Sequence, residues 1–251
     1  MSFESKVAIV TGAAQGMGAA YARLLAQRGA SVVVADIQAD AAEAVAKSIR
    51  AEGGRAIAHA TDVGDPASCL ACASAATQAF GRIDYLVNNA GLLSASFAAP
   101  LPELAVDDYL RIVAVNMHSV LYMTQAVVPA MKAAGGGAIV NTSSIGSWMK
   151  TGIYSVSKAG VNALTVNLSQ TLGPLGIRVN AIAPGTTATE GMQPIMTVEQ
   201  MGQWAQMLGK PTSEVAAPEM IARVGIFLLS DDAHYINGQI LPVDGGTIVR
   251  L

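Results

Sequence analysis

The chain of 251 residues carries a formal net charge of −3, and 52% of its residues are hydrophobic although only 5% are aromatic. This aliphatic composition excludes a disordered chain, and two cysteines are too few for a disulfide framework. The acidic balance argues against a nucleic-acid partner. No uncharged apolar run reaches the roughly 20 residues of a membrane span, and the first residues lack a signal-peptide pattern. We therefore expect a single cytoplasmic domain over residues 1–251, with no nucleic-acid or membrane partner.

Short aliphatic runs alternate with longer alanine-rich stretches along the chain. The predicted strands are Lys6–Val10, Ser31–Ala35, Ala56–Ala60, Tyr85–Val87, Ala138–Thr142, Arg178–Ala183 and Gln239–Pro242. The predicted helices are Gly16–Arg28, Ala39–Glu52, Pro66–Phe80, Leu104–Lys132, Ile153–Leu172 and Pro218–Leu229. The strands are apolar without alternation, which is typical of strands buried on both faces of a sheet. The pattern predicts an α/β fold with a doubly wound parallel sheet flanked by helices, which binds ligands at the carboxyl ends of its strands.

The first predicted strand leads directly into a glycine-rich segment. Gly12, Gly16 and Gly18 allow a tight turn and the close approach of a pyrophosphate, with Gln15 and Met17 between them. The following helix would point its free N–H groups and the positive end of its dipole at the phosphates. A plain strand-to-helix turn can contain similar glycines, so this segment alone leaves both interpretations open.

The second predicted strand is followed directly by Asp36, 24 residues after Gly12. A carboxylate at this place can accept hydrogen bonds from both hydroxyls of an adenosine ribose, and it would repel a 2′-phosphate. The neighbouring Gln15 and Ile37 carry no positive charge that could offset this repulsion. These residues favour NAD(H) over NADP(H) as the cofactor.

The spacing of the three glycines, followed by motifs at later strand ends, resembles the short-chain dehydrogenase/reductase family. The resemblance extends from Lys6 to about Gly246. After the glycine-rich turn its motifs are Asp62-Val63, Asn88-Asn89-Ala90-Gly91, Asn116, Asn141-Thr142-Ser143-Ser144, Tyr154 to Lys158, Pro184-Gly185 and Val243-Asp244-Gly245-Gly246. A single Tyr-x-x-x-Lys occurs often by chance, whereas this ordered series does not.

The resemblance implies a single-domain Rossmann fold with a seven-stranded parallel sheet. It also implies a homotetramer, built largely from the helices Leu104–Lys132 and Ile153–Leu172. Besides the turn, Asp36 and Ile37, the cofactor contacts that it implies are Asp62, Val63, Asn89, Ala90, Gly91, Tyr154, Lys158, Pro184, Gly185, Thr187 and Thr189.

Tyr154 and Lys158 are four residues apart on a predicted helix, so their side chains share one face. An unperturbed tyrosine has a pKa of about 10 and is a poor base at neutral pH. The nearby ammonium, together with the positive nicotinamide ring of NAD⁺, would favour the phenolate and lower that pKa. Tyr154 is thus predicted to act as general acid and base in alcohol oxidation and ketone reduction.

Three further roles follow from the resemblance. Lys158 would also bind the nicotinamide ribose, and Asn116 would hold a water molecule that links this lysine to solvent. Either Ser143 or Ser144 could donate a hydrogen bond to the substrate oxygen, and the resemblance selects Ser144. The segment between Ser144 and Tyr154 is a few residues shorter than the family pattern, so the shape of the substrate pocket is not transferred from relatives.

The segment at about residues 186–213 resembles the mobile cover that the family places over its substrate. Met192 and Met196 lie in it, beside Ile195, and methionines adapt well to apolar ligands, although a packed pair of short helices would also explain them. Trp148, Met149, Leu92 and Leu93 are further candidates for substrate contact. The sequence shows no arginine cluster, so we expect a mainly apolar secondary alcohol or ketone as substrate.

Two other functions remain open. The same scaffold could be an NADPH-dependent reductase of 3-oxoacyl thioesters, against which Asp36 argues. It could also be a non-catalytic dinucleotide sensor, but such a protein would not need all four of Asn116, Ser144, Tyr154 and Lys158. Cys69 and Cys72 lack partners for a metal site and are expected to be reduced core residues, so no metal is predicted.

Overall fold

A computed structural model describes residues 1–92, 99–192 and 196–248. Within these residues seven strands form one parallel sheet in the order β3-β2-β1-β4-β5-β6-β7. The strands are β1 Val7–Thr11, β2 Ser31–Asp36, β3 Arg55–Ala60, β4 Tyr85–Asn88, β5 Gly137–Thr142, β6 Ile177–Pro184 and β7 Ile240–Val243. The order reverses at β1 and β4, which is where a doubly wound sheet opens a crevice for ligands.

Helices cover both faces of the sheet. They are α1 Gly16–Ala26, α2 Ala39–Ala51, α3 Pro66–Phe80, α4 Val106–Val113, α5 Ser119–Ala133, α6 Gly152–Leu172, α7 Val198–Met207 and α8 Pro218–Leu229. One buried cluster joins α1, α2 and α8 to the sheet, and a second joins α3, α5 and the end of α6 to the opposite face. The predicted doubly wound seven-stranded Rossmann architecture is confirmed, with each strand within one residue of its expected bounds.

The expected continuous helix Leu104–Lys132 is wrong in its bounds and its continuity. The helical stretch begins at Val106 and is interrupted by a π-helical turn, Ala114–His118, between α4 and α5. A π turn accommodates one extra residue without ending the helix, so the apolar pattern continues through it. Helix α7 was not predicted as an element, although Thr197 and Gln200 form a capping box at its start.

The stretch Val106–Ala133 is, by length and composition alone, apolar enough to cross a membrane, with a mean hydropathy of 1.2. Its α5 part packs Met123, Val127 and Met131 into the core cluster against the sheet. Packing against the sheet explains this apolar character.

Cys69 and Cys72 on α3 are buried in the same cluster as free thiols, and burial raises the pKa of both.

Candidate active site

A cavity of about 1350 Å³ opens at the carboxyl ends of the strands. Its wall includes the turn after β1, the ends of β2 to β6, and the start of α6. Most of the predicted site residues line it, from Asp36 beside one end of the sheet crevice to Tyr154 and Lys158 on α6. The sequence motifs, which are scattered over the chain, therefore converge on one site.

The glycine-rich turn requires glycine at specific positions. Gly12 has a φ of +61°, and a Cβ at this residue would lie 2.7 Å from the Cα of Ala90. A Cβ on Gly18 would lie 2.0 Å from the carbonyl oxygen of Gly12, so Gly18 permits α1 to pack closely on the turn. Gln15 makes no side-chain cap at the start of α1. The cavity is lined by Gly12, Gln15, Gly16 and Met17. Gly18 does not line it and contributes through its close packing on Gly12.

Asp36 is 7% exposed, and its carboxylate lines the cavity. One oxygen accepts a hydrogen bond from the backbone N–H of Ala14 and the other from that of Gln38, each at 3.0 Å. These two bonds hold the carboxylate at the end of β2. Ile37 is 68% exposed beside it and also lines the cavity, as do Asp62 and Val63 after β3.

Thr11 and Asn89 tie the turn after β1 to the end of β4. The hydroxyl of Thr11 accepts hydrogen bonds from the N–H groups of Asn89 and Ala90, at 3.0 and 3.1 Å. The Asn89 amide donates to the carbonyl oxygens of Thr11 and Gly12, at 3.0 and 3.1 Å. This network holds the two strands at the reversal of the sheet order, with Ala90 and Gly91 on the cavity wall.

Several buried polar atoms on this wall lack a partner within the described residues. They are Asn89 Oδ1, Thr142 Oγ1 and Thr186 Oγ1. Buried polar groups are normally hydrogen-bonded, so such atoms beside a large cavity suit a polar ligand. Together with the close-packed turn and the Asp36 carboxylate, they fit a nicotinamide dinucleotide. The turn would hold its pyrophosphate, Asp36 its adenosine ribose, and Lys158 its second ribose.

Pro184 and Gly185 at the end of β6, and the following Thr187 and Thr189, line the cavity as predicted. A Cβ on Gly185 would lie 2.8 Å from the Cα of Asp244, which explains the glycine. The Thr187 hydroxyl donates to the carbonyl of Gly185 at 3.0 Å. Thr142 and Thr186, whose hydroxyls have no partner among the described residues, are further wall residues that were not predicted.

Tyr154 and Ser144 meet at the other part of the cavity. Ser144 lies two residues after β5, and its hydroxyl accepts a hydrogen bond from the N–H of Gly146 at 3.0 Å. Burial raises the pKa of Tyr154, and a hydrogen bond with Ser144 offsets the rise only in part. In the chain alone the largest influence on the pKa of the phenol is loss of water, and the lowering predicted with bound NAD⁺ stays a prediction.

Lys158 is 4% exposed, and its ammonium donates to the carbonyl of Thr142 at 2.8 Å. The same ammonium lies 6.0 Å from the centre of the Tyr154 ring. Burial lowers the pKa of Lys158 to about 8, since the charged form loses its hydration. A cation this close to a phenol stabilises the phenolate. The attraction between the two charges strengthens when a bound ligand displaces water from the cavity.

The two serines after β5 differ in their partners. The hydroxyl of Ser143 donates to Asn162 Oδ1 at 2.6 Å, and the amide of Asn162 donates to Ser147 Oγ at 3.0 Å. These contacts bind the short β5–α6 segment to α6. The Ser143 hydroxyl is therefore occupied by a contact within the protein. Ser144, next to Tyr154, is the serine whose hydroxyl could contact a substrate.

Asn116 lies in the π-helical turn between α4 and α5 and is 1% exposed. Its side-chain oxygen accepts from the N–H of Leu92 at 2.7 Å, and its amide contacts Ser157 Oγ at 3.4 Å. It does not line the cavity itself. Asn116 thus connects the segment after β4 to α6, and its predicted role in holding a water molecule stays a prediction.

The predicted substrate contacts are only partly brought together. Met149 and Met192 line the cavity, whereas Trp148 and Met196 do not. Trp148 ends a short 3-10 turn, and Met196 directly precedes Thr197, the N-cap of α7. Leu92 also lines the cavity; Leu93 and Ile195 fall outside the described residues.

Two cations of the cavity wall were not predicted as site residues. They are Arg111 of α4 and Lys150 before α6; Trp204 of α7, within the predicted covering segment, also lines the wall. The sequence shows no arginine cluster, but the fold places one arginine and one lysine on the cavity wall. Arg111 and Lys150 are 39 positions apart, and neither belongs to a motif, so only the packing of α4 against α6 brings them to the same cavity.

Comparison with known proteins agrees with this geometry. A family model described as enoyl-(acyl carrier protein) reductase matches residues 12–247. An uncharacterized oxidoreductase of Mycobacterium tuberculosis is 49% identical over 248 residues, covering 99% of both chains. The cis-4-hydroxycyclohexanecarboxylate dehydrogenase of Sinomonas cyclohexanicum is 43% identical, covering 98% of this chain and 97% of that protein.

A solved structure of 7α-hydroxysteroid dehydrogenase, complexed with NADH and 7-oxo glycochenodeoxycholic acid, has the same fold. It superimposes with a TM-score of 0.90 and 36% sequence identity, covering 100% of this chain and 97% of that one. The likeness therefore includes the sheet, the glycine-rich turn and the segments that surround the cavity.

Proposed function

Because the chain belongs to the short-chain dehydrogenase/reductase family of oxidoreductases, we propose that it oxidises secondary alcohols with NAD⁺ and reduces the corresponding ketones with NADH. One observation carries the proposal: the Ser144–Tyr154 pair and Lys158 share a cavity with the glycine-rich turn and Asp36. A hydride acceptor held by the turn would thus lie in the same cavity as an acid–base group.

Tyr154 is the proton-transfer residue in this proposal. Bound NAD⁺ supplies the acceptor for the hydride that leaves the carbinol carbon. The Tyr154 oxygen takes the hydroxyl proton during oxidation and returns it during reduction, while Ser144 donates a hydrogen bond to the substrate oxygen. Since burial raises the pKa of Tyr154, the base form is scarce at neutral pH. We expect oxidation to accelerate as pH rises, because deprotonation of this phenol is required.

Asp36 supports the choice of NAD⁺. Its carboxylate is fixed by two backbone N–H groups on the cavity wall. No basic residue occurs in the turn, residues 12–18, or directly after β2, residues 36–38, that could neutralise a 2′-phosphate. Replacing Asp36 with Asn keeps the size of the side chain and removes the charge, so the discrimination against NADP⁺ should weaken. Steady-state rates with both cofactors measure this change.

The remaining wall supports an apolar body for the substrate. Leu92, Leu101, Met149, Met192 and Trp204 all line the cavity. Two relatives, the hydroxycyclohexanecarboxylate and hydroxysteroid dehydrogenases, are named for ring alcohols. We therefore propose a secondary alcohol on a ring or a bulky alkyl group as the substrate class.

A panel of ring alcohols, open-chain secondary alcohols, steroids and 3-oxoacyl thioesters, each assayed with both cofactors, tests the proposal. NAD⁺-linked oxidation of the ring alcohols is the expected result. Turnover of thioesters alone, with a strong preference for NADPH, would instead identify a 3-oxoacyl reductase. Cofactor binding without turnover of any compound would favour the dinucleotide sensor.

We also propose that the enzyme assembles as a homotetramer. Helix α6 exposes Val156 and Val166, and α4 exposes Val106 and Leu110, which supports a further contact on these helices. Light scattering of the full chain tests this proposal, and a monomer at micromolar concentration would contradict it.

A further inference from the structure

The cavity separates its charged residues by sign. The carboxylates of Asp36, Asp62 and Asp65 line the wall after β2 and β3. Arg111 and Lys150 line it from the segments that follow β4 and β5. The half assigned to the adenosine is therefore acidic, and the half that holds Ser144 and Tyr154 is basic.

Arg111 and Lys150 differ from the buried Lys158, which is held by the Thr142 carbonyl. Both have exposed side chains, and within the described part of the chain neither takes part in an ion pair or a side-chain hydrogen bond. Asp107 and Asp108 lie one turn earlier in α4, but they do not line the cavity. Two cations thus face the substrate half without a carboxylate of that wall to neutralise them.

Their backbones are nevertheless held in place. Ile112 and Val113 of α4 form a buried cluster with Ile153 at the start of α6. Arg111 directly precedes Ile112, and Lys150 lies three residues before Ile153. The contact of α4 with α6 therefore sets both cations at one edge of the cavity, while their long side chains can adapt to a ligand.

We infer that Arg111 and Lys150 form an anion subsite, which selects alcohol substrates that carry a carboxylate away from the carbinol. The inference rests on the proposed function, which places the carbinol at Ser144 and Tyr154. A guanidinium matches a carboxylate in a planar, two-bond geometry, and an ammonium adds a point charge beside it. The apolar wall between the two ends accommodates the ring or alkyl body.

Binding of an unreactive probe tests the subsite without turnover. Cyclohexanecarboxylate and cyclohexanecarboxamide have the same shape, differ in charge and lack a hydroxyl group to oxidise. We expect the carboxylate to bind the full chain at least tenfold more tightly by isothermal titration calorimetry, with NADH and without it. Because exposed charges are screened by salt, the difference should shrink between 20 and 500 mM KCl.

The double variant Arg111→Gln, Lys150→Gln should abolish the preference for the carboxylate and leave the affinity for the carboxamide within twofold. Lys132→Gln is the matched control, because Lys132 is exposed on α5 and does not line the cavity. Equal affinity of the wild type for the two probes would overturn the inference. So would a preference that survives in the double variant, since another group would then be the anion site.

Turnover separates the two proposals. If the wild type oxidises 4-hydroxycyclohexanecarboxylate faster than its carboxamide, and the double variant loses only this difference, both are supported. If no alcohol reacts with either cofactor, the proposed function fails, while the binding of the unreactive probes still decides whether the anion subsite exists.

Discussion

Replacing Lys158 with Met should abolish alcohol oxidation and yet stabilise the fold. Burial lowers the pKa of Lys158 from its usual 10.5 to about 8. At about 1.4 kcal/mol per tenfold change, keeping this lysine charged at pH 7 costs the folded chain about 3 kcal/mol. Methionine fills a similar volume without charge. It loses the hydrogen bond to the Thr142 carbonyl, which is worth about 1 kcal/mol.

The expected net gain is therefore about 2 kcal/mol at pH 7, or about 4–8 °C in Tm for a chain of this size. Urea unfolding at one protein concentration measures it, with Lys132→Met as a surface control that should change stability by less than about 0.5 kcal/mol.

The pH dependence of stability is a second test of the unfavourable burial of the charged Lys158. The folded chain releases the Lys158 proton near pH 8, whereas the unfolded chain keeps it until about pH 10.5. Between these values the unfolded state binds more protons, so wild-type stability should rise with pH relative to the variant. A variant less stable than wild type at pH 7, or parallel stability curves from pH 7 to 10, would refute the reasoning.

Three further changes test other parts of the structure. Tyr154→Phe should lower the oxidation rate by about 10²–10⁴ and leave the affinity for NADH unchanged in a fluorescence titration; undiminished turnover would exclude Tyr154 as the acid–base group. Gly18→Ala should lower the free energy of unfolding, measured in urea, by about 3 kcal/mol or more, the upper end of the usual cost of overpacking. The reason is that the added Cβ would lie 2.0 Å from the Gly12 carbonyl oxygen. Arg178→Gln should cost about 2–3 kcal/mol, since the guanidinium donates to the carbonyls of Leu228 and Ser230, at 2.8 and 3.0 Å, near the end of α8. Arg178→Lys should fall between wild type and Arg178→Gln, and equal stability of all three would contradict this role.

The strands were predictable because their signal is local. Val32, Val33 and Val34 form an apolar run of the kind that a sheet covered on both faces requires, and β2 contains them. The glycine-rich turn was predictable for a similar reason. Gly12 and Gly18 lie in one short segment, and their spacing reflects backbone contacts within that segment and with Ala90.

Other features depend on contacts between distant segments. The break between α4 and α5 was missed because Asn116 in this break bonds to Leu92, 24 residues earlier. A contact with a distant residue does not change the local apolar pattern of the sequence. Arg111 and Lys150 were missed because the packing of Ile112 on Ile153 brings them together. The capping box of Thr197 and Gln200, in contrast, was a readable local signal for α7.

The rise in the pKa of Tyr154 in the ligand-free chain could not be predicted from the sequence, for another physical reason. The sequence places a cation one helical turn away, but it contains no measure of how much water the fold removes from the phenol. In the folded chain that loss of hydration outweighs the hydrogen bond from Ser144.

The π-helical turn at Ala114–His118 has a consequence for how this chain can vary. A π turn is an insertion in the backbone: it adds one residue to a helix that otherwise continues on both sides. Deleting one residue there would restore a regular helix with α4 and α5 in nearly the same phase, because the wider turn absorbs the extra residue, but it would remove the turn that positions Asn116. Side-chain replacement alone leaves the number of residues in the turn unchanged. The orientation of Asn116 relative to α5 is therefore encoded by chain length, and variants of this region should tolerate substitutions better than single-residue deletions.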